Sequence, residues 1–155
     1  LSVMDYPALL EPLRDILPYF AYIMAAFAAL RLAKFNLDTR QATSFIGLPT
    51  PANALFWGSL IVGANDIIEY SPYCVFAIMA MVLVSSYIQV AELPMFALKF
   101  KHWGWKGNEI KYIFIATCIP LLIIFKLSAF AVIIAWYVIL SVYVNITNKE
   151  KDNNV

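Results

Sequence analysis

The residues best suited to holding an anion lie in one stretch, "ALRLAKFNLDTRQATSFIGLPTPAN", Ala29 to Asn53. Arg31 and Lys34 are three apart, so on a helix they share a face and form a cationic pair. "DTRQATSF" adds Arg40, Thr43 and Ser44, and "IGLPTPAN" combines Gly47 with Pro49 and Pro51, residues that fix a turn and start the next helix. Such a loop can hold phosphate, carboxylate or hydroxyl groups in place. It also suits a plain cationic loop at a membrane surface, with long side chains snorkelling to the headgroups.

Which reading applies depends on the elements around it. Of the 155 residues, 63% are hydrophobic and only 14% charged, and the mean hydropathy is +0.76, above the usual range for a soluble domain. The expected fold class is all-α, a polytopic integral membrane bundle. Five uncharged apolar stretches stand out: Ile16 to Leu30, Pro51 to Asn65, Pro72 to Ala91, Tyr112 to Phe125 and Leu127 to about Val144. A spanning helix needs roughly 17 to 25 residues, so the short fourth stretch, with Pro120, pairs with the fifth either as two spans or as a re-entrant hairpin.

Numbering the loops alternately across five spans puts Arg31, Lys34, Arg40, Lys99, Lys101, Lys106, Lys111, Lys149 and Lys151 on one side and Arg14 and Lys126 on the other. The positive-inside tendency makes the larger group cytoplasmic. The N-terminus is then external, and residues 149–155 form a polar cytoplasmic tail after a transmembrane portion, residues 1–148. The N-terminal "LSVMDYPALLEPLRD" has no basic start followed by an apolar core, and an external N-terminus without an export signal leads us to expect a fragment of a longer protein.

Little else in the chain is chemically pointed. Cys74 and Cys118 fall inside apolar stretches without neighbours at ligand spacing. His102 sits in "KFKHWGWKGNE" beside Trp103 and Trp105, a composition suited to the membrane interface. Phosphate-loop, nucleophile-elbow and metal-cluster patterns are absent from the sequence, and nothing suggests a nucleic-acid partner. The acids expected on the inner face, Asp38, Glu92, Glu109, Glu150 and Asp152, are not spaced to share a helix face. Asp66 and Glu69 have i, i+3 spacing but are expected in an outer loop.

"ALRLAKFN", followed by "FIGLPTPAN" and later by "ELPMFALKFK", resembles the bacterial phosphatidylserine synthases of the CDP-alcohol phosphatidyltransferase family, and the similarity covers most of the chain. The resemblance implies a multi-pass enzyme of the cell inner membrane, its active side cytoplasmic, that joins L-serine to CDP-diacylglycerol to give phosphatidylserine and CMP. It implies that Arg31, Lys34 and Asn36 lie beside the substrate pocket, the cations facing phosphate or the serine carboxylate and the amide orienting a polar group. Lys34 stands where arginine is expected in many relatives. A homodimer is a further family expectation.

The family's chemistry resides in a motif Asp-x-x-Asp-Gly-x-x-Ala-Arg, eight residues, then Gly-x-x-x-Asp-x-x-x-Asp, whose aspartates hold divalent metal, Mg or Mn, on the CDP-lipid pyrophosphate. This chain has no Asp-Gly dipeptide, so no catalytic residue or metal ligand maps onto it, and the resemblance is to the C-terminal part of such an enzyme. The alternative from another class is a non-catalytic membrane subunit or small transporter, for which Gln89, Asn65 and Lys126 are the candidate mid-membrane polar residues.

Overall fold

The computed structural model describes residues 7, 9–37, 45–70, 73–95, 104–105 and 108–153, with side chains at 45, 65–70 and 148–153 left undescribed. Among the described residues the fold is all-α apart from one pair of two-residue strands. Helix α1, Tyr22–Leu37, is rich in the strong helix formers Ala and Leu. A 3-10 turn, Leu17–Ala21, leads into it with Pro18 in the first turn, where its missing N–H leaves no helical bond unmade. Strand β1, Phe45–Ile46, precedes helix α2, Thr50–Tyr70. Helix α3, Cys74–Val90, ends where Ala91 turns extended (φ −63°, ψ 144°) ahead of strand β2, Pro94–Met95. Helices α4, Glu109–Phe125, and α5, Ala129–Asn153, are joined by the tight turn Lys126–Ser128.

Two boundaries differ from the sequence expectation. Asp66 and Glu69 stand on helical backbone in the last turns of α2, not in an outer loop, because Ile67 and Ile68 continue the apolar run and Pro72, the next helix breaker, comes only after Tyr70. The segment expected as a tail stays helical as far as Asn153, continuing α5.

The helices alternate in direction. Lys34 near the end of α1 reaches the Val90 carbonyl at the end of α3, while β1 and β2, antiparallel with Phe45 opposite Met95 and Ile46 opposite Pro94, join the start of α2 to the same place. Asn145, late in α5, donates to the Pro94 carbonyl at 2.8 Å. The ends of α1, α3 and α5 and the start of α2 thus meet at what we call the loop end. At the opposite end α2 touches the Lys126–Ser128 turn so closely that a Cβ on Gly63 would lie 2.4 Å from Ser128 Oγ. Lys126 takes a positive φ of 50° there, and the chain reverses. Phe114 of α4 then meets Tyr137 of α5 with ring centroids 5.7 Å apart, so α4 and α5 form an antiparallel hairpin. Under the strands lies a small core of Leu48, Met95 and Ile134, packed by Phe56, Ile88 and Val138.

Among the described residues two helical segments are long and apolar enough to cross a membrane, Leu17–Leu37 with 21 residues and Glu109–Thr147 with 39, the latter containing both legs of the hairpin. That is fewer than the five expected from the sequence. Cys74–Val90 is apolar but shorter, and α2 is diluted by Asn53, Ser59, Asn65, Asp66 and Glu69. The most apolar part of the first segment is unburied, and only 11% of that of the second is buried. Leu30, Leu32, Ile61, Val62, Leu83, Ile123 and Ile124 all face outward. An apolar exterior on this scale fits membrane association, since the core helix of a soluble protein would be covered by its own chain.

Candidate functional site

Arg31 and Lys34 project from the last two turns of α1, and the structure gives them different work. Lys34 Nζ donates to the Val90 carbonyl at 3.1 Å, one of the acceptors that the end of α3 leaves without an intrahelical donor. It therefore ties α1 to the C-terminus of α3. Arg31 is half-buried, and its Nε and Nη2 have no hydrogen-bond partner. Stepping back one turn along both helices from the Lys34–Val90 contact brings Arg31 to about the level of Ser86.

Helix α3 presents further buried polar groups at that level. Ser86 Oγ is fully buried without a partner, and Gln89, 1% exposed, has neither amide atom paired. Asn53, in the first turn of α2, is 4% exposed with Oδ1 unpaired. A buried polar atom left unsatisfied costs roughly 1–3 kcal/mol, more for a charged group, so a cluster of them at one end marks a place where a polar ligand or water completes the bonding. From sequence Gln89 is a candidate mid-membrane polar residue for a transport pathway. In the structure it lies one residue from the end of α3, beside the Gly47 turn, not at mid-span as a transport pathway would need. Lys126, the other such candidate with a described side chain, is exposed in the turn at the opposite end.

The Gly47 turn holds this end together. Gly47 has φ +73°, its N–H donates to the Leu93 carbonyl at 2.8 Å, and Leu48 N–H donates to the Ile88 carbonyl at 3.1 Å. Through these bonds and the β1–β2 pair, "FIGLPTPAN" folds directly onto "ELPM". Nothing in the sequence of either stretch predicts this contact.

Asn36 is not brought into this cluster. It is exposed on the last turn of α1, and five residues at 3.6 per turn place it about 140° around the helix from Arg31. Arg40, Thr43, Ser44, His102 and Trp103 lie outside the described residues. Nearby, Asn108 Nδ2 donates to the Gly104 carbonyl, Lys111 Nζ donates to Asn108 Oδ1, and Trp105 stacks on Tyr112 at 5.3 Å. Cys74 in α3 and Cys118 in α4 are not disulfide-bonded.

The donors suit an anion. Arg31 can give two N–H groups to a phosphate or carboxylate oxygen, Ser86 can give an O–H, and the Gln89 amide can donate or accept. They do not suit a divalent metal: among the described residues no three His, Cys, Asp or Glu side chains gather as a ligand set. No family model, curated protein or solved structure matches the chain.

Proposed function

We propose that this chain is the C-terminal helical part of a serine-using CDP-alcohol phosphatidyltransferase, five membrane passes whose loop end faces the cytoplasm of an inner membrane and forms one wall of the substrate site. The observation that carries the reading is the convergence at one end of the two stretches behind the resemblance, "FIGLPTPAN" and "ELPM", with the unpaired Arg31 guanidinium. Arg31 holds anionic oxygens of CDP-diacylglycerol or of the serine carboxylate. Lys34 positions α1 against α3. Among the described residues no carboxylate set for the metal gathers, so no step of the transfer is assigned to these residues beyond binding and orientation.

Five passes are supported by the alternating helices and by the hairpin, whose legs of 17 and 25 residues are roughly 25 and 37 Å long at 1.5 Å per residue. Reporter fusions after Arg40, Lys106 and Lys149 are expected to read cytoplasmic, and fusions after Asp66 and Lys126 external. An external signal at Lys106 would overturn the five-pass arrangement.

The activity itself is tested by reconstitution with CDP-diacylglycerol, L-serine and a divalent metal. The 155-residue chain alone is expected to release no CMP, because displacement at a pyrophosphate builds negative charge that converging carboxylates and metal must offset. Joined to a segment carrying the family aspartates, it is expected to become active. Metal-dependent turnover by the chain alone would disprove this division of labour.

A further inference from the structure

Tyr and Trp side chains favour the membrane–water boundary, where the ring stays in an apolar layer and the O–H or N–H stays wet. Among the described residues the exposed ones are Tyr19, Tyr22, Tyr73, Tyr87, Trp105 and Tyr143, and they sort to the two ends of the bundle. Opposite the loop end, Tyr19 and Tyr22 stand where α1 begins and Tyr73 caps the start of α3. At the loop end, Tyr87 lies one turn before the last residue of α3, Val90, and Tyr143 lies just before Asn145, which bonds the Pro94 carbonyl. Trp105 stacks there on Tyr112 in the first turn of α4. Between the two groups the outward residues are aliphatic, among them Ile61, Leu83 and Val132. The exterior thus carries two aromatic girdles with an apolar band between them.

The band is narrow. Tyr73 and Tyr87 belong to one helix, and at 1.5 Å per residue their backbone positions are about 21 Å apart. Helix α5 gives the same figure independently, since Tyr143 stands about 21 Å along it from its first residue, Ala129. The α4–α5 turn meets α2 at Gly63, which is about 20 Å along α2 from Thr50, so the backbone of the last turns of α2 runs roughly 10 Å past the hairpin. Tilting the bundle only shortens its reach. A typical hydrocarbon core is about 30 Å thick, and an apolar span too short for it must thin the layer or draw its polar ends inward, at a free-energy cost that grows with each ångström. We propose that the band fits a thin hydrocarbon layer, and that the lipids this protein gathers around itself are glycerophospholipids with acyl chains shorter than oleoyl. The exposed Lys126 of the turn then reaches lipid phosphate, and the end of α2 stands outside the apolar layer. This inference rests on the multi-pass arrangement proposed above and not on phosphatidyl transfer.

The test reconstitutes the full chain in dimyristoleoyl, dioleoyl and dierucoyl phosphatidylcholine, fluid bilayers with one headgroup and rising thickness. The unfolding midpoint, followed by circular dichroism, is expected to be highest in the dimyristoleoyl bilayer and lower by at least about 5 °C in the dierucoyl one. In mixed bilayers, quenching of tryptophan fluorescence by brominated chains should show the dimyristoleoyl lipid favoured at the protein surface over the dierucoyl lipid by roughly twofold or more. Tyr87→Leu with Tyr143→Leu, both at exposed positions, extends the band towards Val90 and Asn145 and should narrow the gap between midpoints. Because the first two readings use the unaltered chain, the proposal stays open to refutation if that variant fails to fold. Equal midpoints in the three bilayers, a maximum in the dierucoyl one, or indifferent quenching would overturn it, as would a gap that the double variant leaves unchanged. Extraction from every bilayer by alkaline carbonate would overturn the multi-pass reading along with it, whereas firm retention with equal midpoints would overturn this inference alone.

Discussion

Arg31→Ala, made in the enzyme joined to its aspartate-bearing segment, is expected to lower serine-dependent CMP release about ten- to a hundredfold at limiting substrate while leaving membrane expression unchanged. The substitution removes buried donors that make no bond within the described chain, so folding loses little. A charge-assisted contact to an anionic substrate is worth roughly 1.5–3 kcal/mol, which sets the size of the effect. Lys34 gives the contrast. Its ammonium is spent on the Val90 carbonyl, so Lys34→Arg should be mild, and Lys34→Ala should cost about 1 kcal/mol of stability before it costs activity. If Arg31→Ala releases CMP like the wild type, the cation merely snorkels and the pocket assignment fails.

Gly47→Ala is expected to destabilise the bundle by upwards of about 2 kcal/mol, read as a shifted unfolding midpoint in mixed micelles. The backbone at φ +73° already costs a residue with a side chain roughly 1–2 kcal/mol. The new Cβ would also lie 2.5 Å from the Gln89 carbonyl oxygen and 3.0 Å from that of Ala91. Both obstacles are backbone atoms, so relief requires the turn to lift off α3, loosening the Gly47–Leu93 and Leu48–Ile88 bonds. Gly58→Ala is the matched control: nothing lies within 4 Å of the added atom, and inside α2 the change should stabilise by up to about 1 kcal/mol. Equal midpoints for the two variants would mean that the turn does not lock this end.

The helices were legible because outward-facing apolar elements need only be apolar and long enough, and each apolar stretch lies largely within a helix, with ends shifted by up to nine residues. Alternation of direction was legible for the same reason. The β1–β2 contact was not, since two-residue strands have no periodicity and Phe45 and Met95 are 50 residues apart in sequence. The end of α2 was misplaced because acidic residues after an apolar run suggest a loop, whereas the helix continued through Asp66 and Glu69 to Tyr70. Within the site, Arg31 was readable as a cation at a helix end. Equivalent treatment of Lys34 was too coarse: charge and spacing are nearly the same, and only the position of Val90 makes one a tether and leaves the other unpaired. Asn36 shared the stretch but not the face, a distinction that follows from helical geometry and was overridden by the resemblance. Asn53, Ser86 and Gln89 gave one usable signal, polar side chains inside otherwise apolar helices, without indicating that all three meet at one end.

The most direct measurement of the central claim is the identity of the lipid made. The joined enzyme, in bilayers containing CDP-diacylglycerol, would be given isotopically labelled L-serine with sn-glycerol 3-phosphate and myo-inositol as competing acceptors, and the products identified by mass spectrometry. The account predicts labelled phosphatidylserine as the product, formed with equimolar CMP and strongly reduced by Arg31→Ala. Transfer to glycerol phosphate or inositol in place of serine, or CMP release that does not depend on any acceptor alcohol, would contradict it.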